Sequence, residues 1–177
     1  MKKLFLLFLL PLSSFAQVIT TFQAILDGTL TYNRPGWNAD AVFSYSLIEI
    51  FPSVDGLYDI INPAANLTFT NDPYVYLYQE SFDPSQPEVN LIAYDDDSNG
   101  NLLFRLNDIQ LYSSIAYYVV ATSYQPGATG TFDFEIVGPG SVEYQGTVTN
   151  PSIPEPSMIS LIIGLMSLGY LIYRKLS

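Results

Sequence analysis

Between Gln17 and Asn150 the chain alternates. Phe132, Phe134 and Ile136 are separated by Asp133 and Glu135, and Phe43, Tyr45 and Leu47 by Ser44 and Ser46. Tyr74, Tyr76 and Tyr78 fall on one side of a third run. A period of two sends alternate side chains to opposite faces of a strand, whereas a helix would scatter them around its axis. Helical periodicity is hard to find anywhere in this stretch. The run at residues 117–121 is apolar on both faces, which suits a central strand. Further candidate strands are residues 22–26, 57–61, 89–94, 102–106 and 142–148. They are separated by Asp27-Gly28, Arg34-Pro35-Gly36, Asp55-Gly56, Asn71-Asp72-Pro73, Asn99-Gly100 and Pro126-Gly127, pairs and triplets that favour turns. Many short strands with regular turns predict an all-β domain over residues 17–149, an antiparallel β-sandwich or jelly roll. Residues 82–87, with two prolines, predict an exposed loop.

Charge and composition narrow what such a domain can do. Arg34 and Arg105 are the only basic residues between Gln17 and Pro156, against all 17 acidic residues. The charge there is about −15, beyond the −11 of the whole chain. Nucleic acids and anionic lipids need a basic face, so neither is an expected partner. A hydrated matrix or divalent cations suit such a surface better. The chain has no Cys and no His. That removes Ser-His and Cys-His nucleophiles and the usual zinc, copper and haem ligands, and no enzyme activity is expected. Stability must come from the core without disulfides.

The two ends read differently. Lys2 and Lys3 precede a short apolar run at residues 4–12, and Ser14-Phe15-Ala16 gives a small-x-small site before Gln17. This is the pattern of a signal peptide over residues 1–16, cut between Ala16 and Gln17. At the other end a linker, residues 150–157, carries Pro154-Glu155-Pro156. An apolar run, residues 158–173, follows, and then a basic tail, residues 174–177, with Arg174 and Lys175. As a helix the apolar run would be about 24 Å long, short against a bilayer core of about 30 Å. The prolines disfavour helix around Glu155 and set the boundary in extended chain. Basic residues at both ends would lie on the cytosolic side, placing residues 17–149 outside the cytoplasm.

The order of rigid Pro-Glu-Pro, transmembrane helix and basic stop resembles the PEP-CTERM sorting signal of bacteria that export polysaccharide. That resemblance implies export machinery and an exosortase as partners. It also implies an inner-membrane-anchored precursor, and a mature form at the cell surface or in an exopolysaccharide matrix. The alternative for the tail is an ordinary membrane anchor that is never cut. A second resemblance lies in the domain. Asp95-Asp96-Asp97-Ser98-Asn99-Gly100, a strand around Phe104, Leu111, Tyr117-Tyr118-Val119-Val120 and Gly130-Thr131-Phe132-Asp133-Phe134-Glu135-Ile136 follow an order similar to the bacterial pre-peptidase C-terminal domain. It covers roughly residues 74–138. The family usually has Gly in the turn before the Tyr-Tyr strand, where this chain has Ser114-Ile115-Ala116. The resemblance implies a small jelly roll with a non-catalytic, accessory role.

Three groups of residues are candidates for chemistry. Asp95, Asp97 and Asn99, with Gly100, match the opening of an EF-hand loop. Position twelve is Leu106, so the bidentate Glu is absent and an EF-hand is rejected. A looser calcium loop completed by Asp96 or Asp108 is one reading; a solvated acidic turn using Asn-Gly is the other. The tyrosines and Trp37 make either a sugar-stacking platform or ordinary sheet packing. Acidic residues are too plentiful for a pair such as Asp95 and Asp97 to signal glycoside hydrolysis. Arg34 and Arg105 are expected to pair with carboxylates, and Asn66-Leu67-Thr68 has the form of a glycosylation acceptor. The expected function is an exported, non-catalytic surface or exopolysaccharide-matrix protein. The alternative is a calcium- or carbohydrate-binding accessory module.

Overall fold

A computed structural model describes residues 16–36, 41–63 and 72–146. Most of the signal peptide, Trp37, Asn66-Leu67-Thr68, the linker with Pro154, Glu155 and Pro156, the 158–173 span, Arg174 and Lys175 lie outside the described residues. Ala16 and Gln17 are exposed ahead of the first strand. The described residues contain no helix, and so none long and apolar enough to cross a membrane.

The strands are β1 (Val18–Leu26), β2 (Thr31–Tyr32), β3 (Phe43–Ser44), β4 (Ser46–Pro52), β5 (Gly56–Ile61), β6 (Pro73–Gln79), β7 (Leu91–Asp95), β8 (Arg105–Leu111), β9 (Tyr117–Ser123), β10 (Gly130–Gly138) and β11 (Val142–Gly146). They form a four-stranded sheet, β1-β10-β5-β8, a five-stranded sheet, β11-β4-β9-β6-β7, and a small β2-β3 ribbon. All the pairings are antiparallel. Among the described strands, only β2-β3 and β6-β7 are neighbours both in sequence and in a sheet; other successive strands lie in different sheets.

The alternation explains the two layers. Phe22, Ala24 and Leu26 of β1, Tyr58 and Ile60 of β5, and Phe132, Phe134 and Ile136 of β10 turn inward from one sheet. Ile48 and Ile50 of β4, Val75 and Leu77 of β6, and Tyr117, Val119 and Ala121 of β9 meet them from the other. Phe22 lies opposite Phe134 in the β1-β10 ladder, their rings stacked at 5.2 Å. Burying each such side chain contributes roughly 1.5–3 kcal/mol, which is how the sandwich is held together without disulfides.

The five-stranded sheet is covered on its other face as well. Tyr74, Tyr76 and Tyr78 of β6 and Val120 of β9 pack there under Tyr32, Phe43 and Tyr45. This is why 117–121 is apolar at every position. Phe82 also packs into this layer, its ring 4.8 Å from that of Tyr78 and 5.4 Å from that of Tyr45. The 82–87 segment is therefore only partly the exposed loop expected of it: Asp83 to Gln86 are exposed, while Phe82 seals the aromatic layer.

Two strands begin later than their apolar residues suggest. β8 starts at Arg105, after a left-handed bend in which Asn101 and Leu102 have φ of 55° and 61°. β7 starts at Leu91, after Asn90 with φ 63°.

Candidate functional site

The outer face of the β6-β7 hairpin carries a cleft of about 330 Å³ lined by Arg34, Tyr74, Tyr76, Glu88, Leu91, Tyr94, Asp96 and Tyr124, with Pro35 and Gly36 at one wall. Alternation places Tyr74 and Tyr76 on the same face of β6, their rings stacked at 4.8 Å and 11°. The β6-β7 register sets Tyr94 opposite Tyr76. Its ring lies nearly parallel to both, 5.7 Å from Tyr76 and 6.4 Å from Tyr74. Cross-strand aromatic pairs of this kind stabilise a sheet by a fraction of a kcal/mol each, up to about 1 kcal/mol. Tyr76 is buried, but Tyr94 is 60% exposed. A flat aromatic face is thus open to solvent on a rigid aromatic base.

Arg34 forms the floor. It is 5% exposed, and its guanidinium carbon sits 4.5 Å from the Phe43 ring centroid, 4.4 Å from Tyr74 and 5.2 Å from Tyr124. Nη1 donates to the Ser123 carbonyl oxygen at 2.9 Å. Cation–π packing and this backbone bond hold the guanidinium in place. The Tyr76 hydroxyl donates to the Pro35 carbonyl oxygen at 3.3 Å, fixing the wall of the cleft. Burial pushes the Tyr74 and Tyr76 hydroxyls above the ordinary tyrosine value, so both are neutral donors at physiological pH. Glu88 and Asp96 stand at the rim as acceptors. Other cavities lie among the described residues. One, of about 230 Å³, is lined by Ile25, Asp27, Thr29, Leu30 and Tyr45. Another, of about 570 Å³, lies beside Gln17, Leu57 and Pro139 at one end of the sandwich. Neither gathers several aromatic faces with charged groups.

The acidic loop adjoins the cleft through Asp96. Its residues serve the turn. Asp95 Oδ2 accepts from the Ser98 amide at 3.0 Å, the Ser98 hydroxyl at 2.7 Å and the Arg105 amide at 2.8 Å. Asn99 donates from Nδ2 to the Asn62 carbonyl oxygen at 2.9 Å, and the Gly100 amide donates to the Asp97 carbonyl oxygen at 2.9 Å. Gly100, at φ 77°, supplies the left-handed bend. Asp97 is exposed. Asp108 is elsewhere, its amide donating to Asp59 on β5. Among the described residues no group of three or more Asp or Glu side chains is gathered where a metal ion could be held. Arg105 does pair with a carboxylate, Asp59, at 2.8 Å.

Sequence reading singled out the tyrosines but not their partners. Arg34 and Tyr124 arrive from loops flanking β2 and β9, and no local pattern ties them to β6. Comparison of the chain with protein-family models gave no match, and comparison with curated proteins gave none.

Proposed function

We propose that this chain is an exported, non-catalytic glycan-binding module, and that the β6-β7 cleft holds the sugar. The observation that carries this reading is the Tyr94 ring, open to solvent and parallel to the Tyr74-Tyr76 stack beneath it. A pyranose presents a flat array of C–H bonds that packs on such a ring, while its hydroxyls need acceptors and donors around the edge. Glu88, Asp96 and the neutral Tyr74 hydroxyl supply them. The volume, about 330 Å³, is at the lower end of small-ligand sites. The rim carboxylates and the charge of about −15 favour neutral or amino sugars over uronates.

The setting follows from the resemblance of the tail to a PEP-CTERM signal. The precursor is held in the inner membrane, an exosortase processes it near Pro154-Glu155-Pro156, and the mature domain works in the exopolysaccharide. Intact mass of the protein recovered from an exosortase-containing host checks this. A mature form retaining Arg174 and Lys175 would support a permanent anchor instead.

Binding is tested by calorimetry of the full chain with neutral, amino-sugar and uronate oligosaccharides. Neutral or amino-sugar oligomers should bind, and Tyr94→Ala should lose roughly two- to tenfold in affinity, since aromatic contacts of this kind contribute about 0.5–1.5 kcal/mol. Unchanged affinity in Tyr94→Ala would remove the cleft from the reading. The absence of binding to every oligomer would remove the glycan.

A further inference from the structure

The chain contains the dipeptide Asp-Pro twice, at Asp72-Pro73 and Asp83-Pro84, in opposite surroundings. Asp83 is exposed and its carboxylate is fully engaged. Oδ1 accepts from the Ser85 amide at 2.9 Å and the Ser85 hydroxyl at 2.7 Å, and Oδ2 from Gln86 Nε2 at 3.3 Å. Those bonds, the Ser85 hydroxyl first, hold its carboxyl below the ordinary value. Asp72 is partly buried, and its Oδ1 is shut off from solvent with no hydrogen-bond partner. Its φ is 58°. Asp tolerates the left-handed region, but a residue before proline is driven toward extended backbone by the proline ring, so this peptide is strained. Its carbonyl oxygen accepts from the Tyr124 amide at 2.7 Å, a donor already aimed at the atom that would carry negative charge if the carbonyl were attacked.

We propose that the Asp72–Pro73 peptide bond is a self-cleavage site, opened without a protease by the Asp72 carboxyl group attacking its own carbonyl carbon. The nucleophile and its target belong to one residue, so the reaction is a five-membered ring closure. An Asp72 carboxyl oxygen bonds to the Asp72 carbonyl carbon, and the carbon–nitrogen bond to Pro73 breaks. The carboxyl proton moves to the Pro73 nitrogen, which leaves as a secondary amine. The cyclic anhydride left on Asp72 then takes up one water, restoring both carboxyl groups. The balance is one peptide bond and one water consumed, one new chain end on each side. The Tyr124 amide stabilises the oxyanion of the tetrahedral intermediate, and scission releases the strained backbone.

The surroundings also supply the proton. Burial, then the nearby Asp97 and Asp96 carboxylates, raise the Asp72 pKa to about 6, with Arg34 acting against them. The neutral acid is therefore present in mildly acidic medium. The nick would separate β1–β5 from β6–β11. Both sheets draw strands from each part, so the halves stay together until denatured.

The test is incubation of the purified full chain at about pH 5 and about pH 8, either side of that pKa, followed by denaturing electrophoresis and intact mass. A fragment ending at Asp72 and one beginning at Pro73 should appear at the lower pH, their masses summing to the chain plus one water. Scission at 72–73 should outpace scission at 83–84 by about tenfold or more, the factor that strain of a kcal/mol or two supplies. In urea the two bonds should become equal. Asp72→Glu, which must close a larger ring, and Pro73→Ala, with a poorer leaving group, should each slow the reaction, whereas Asp83→Glu should not. Equal rates at the two bonds in the native chain, or an undiminished 72–73 rate in urea, would overturn the proposal. Both of those readings come from the unmutated protein and stand even where a variant fails to fold.

Discussion

The Arg34 guanidinium lies 4.4 Å from the centroid of the Tyr74 ring and ties β6 to the end of β9 through the Ser123 carbonyl oxygen. One residue from an irregular segment thus anchors the cluster of near-parallel Tyr74, Tyr76 and Tyr94 rings through Tyr74. Ring faces and the backbone oxygen hold its guanidinium in place, and the cleft above it stays open.

Replacing Arg34 therefore destabilises the fold as well as the cleft. Arg34→Met keeps the apolar stem but loses the guanidinium stacking and the bond to Ser123. Together these are worth about 2–3 kcal/mol for a desolvated site. Arg34→Lys should recover little of it, because an ammonium cannot lie flat between rings. Urea unfolding midpoints check both. A Lys variant as stable as the original would show that charge alone suffices.

Packing of the sandwich makes a second, sharper test at Gly138, where β10 passes over Tyr58. A Cβ there would fall within the Tyr58 ring. That ring is fully buried, and its hydroxyl is fixed by donation to the Val54 carbonyl oxygen at 3.0 Å, so it has nowhere to move. Gly138→Ala should cost about 1–3 kcal/mol or more, the range for overpacking. Gly127→Ala has open space around its Cβ and suffers only from its φ of 70°. It should cost about 1 kcal/mol. Thermal melting of the two variants should separate them in that order.

How far the sequence led depends on whether a feature is local. Alternation at Phe132, Phe134 and Ile136 is a local property, and it fixed both the strand and the face it buries. The same holds for Tyr74, Tyr76 and Tyr78, whose shared face is the aromatic layer. Tyr117 to Ala121 read as central because each position was apolar, and β9 does lie between β4 and β6. Leu102, Leu103 and Phe104 misled, since hydrophobicity reports burial and not φ. Leu103 and Phe104 are buried, but they lie between the left-handed bend at Asn101 and Leu102 and the start of β8. The cleft was half legible. Tyr94 and Asp96 are neighbours in sequence, whereas Arg34, Glu88 and Tyr124 meet them only through strand order, which no spacing reveals. The acidic loop shows the converse: its spacing suits a cation, but Ser98 and the Arg105 amide compete for Asp95 and hold it.

That competition gives a third prediction. If the Asp95 side chain is committed to the turn, calcium acts on this protein as a diffuse counterion. Millimolar calcium should then raise the melting temperature of Asp97→Ala as much as that of the unmutated chain, and the rise should shrink in high salt. A rise confined to the unmutated chain would identify a specific site at Asp95, Asp97 and Asn99. Asp95→Ala should instead be destabilising without any cation, because three donors lose their acceptor.

Asp72 makes the last prediction, and its sign is opposite to that of Asp27, Asp55 and Asp83, whose carboxyls are held below the ordinary value by hydrogen bonds. Burial and the Asp97 and Asp96 charges raise its pKa from 3.8 to about 6 in the folded chain. The folded state then binds the proton more tightly than the unfolded state does. The favourable contribution is fully present below about 3.8 and is lost as pH rises through about 6, leaving a charged, poorly solvated carboxylate at neutral pH. Asp72→Asn removes that charge and keeps a side chain that tolerates positive φ. It should stabilise the protein near neutral pH on the order of 1 kcal/mol, after allowance for solvent screening at a partly exposed group. Near pH 4, where Asp72 is already protonated in the folded state, the two proteins should melt together. Unfolding curves at the two pH values decide it: a gain of the same size at both would trace the effect to the backbone at φ 58° and not to the buried charge.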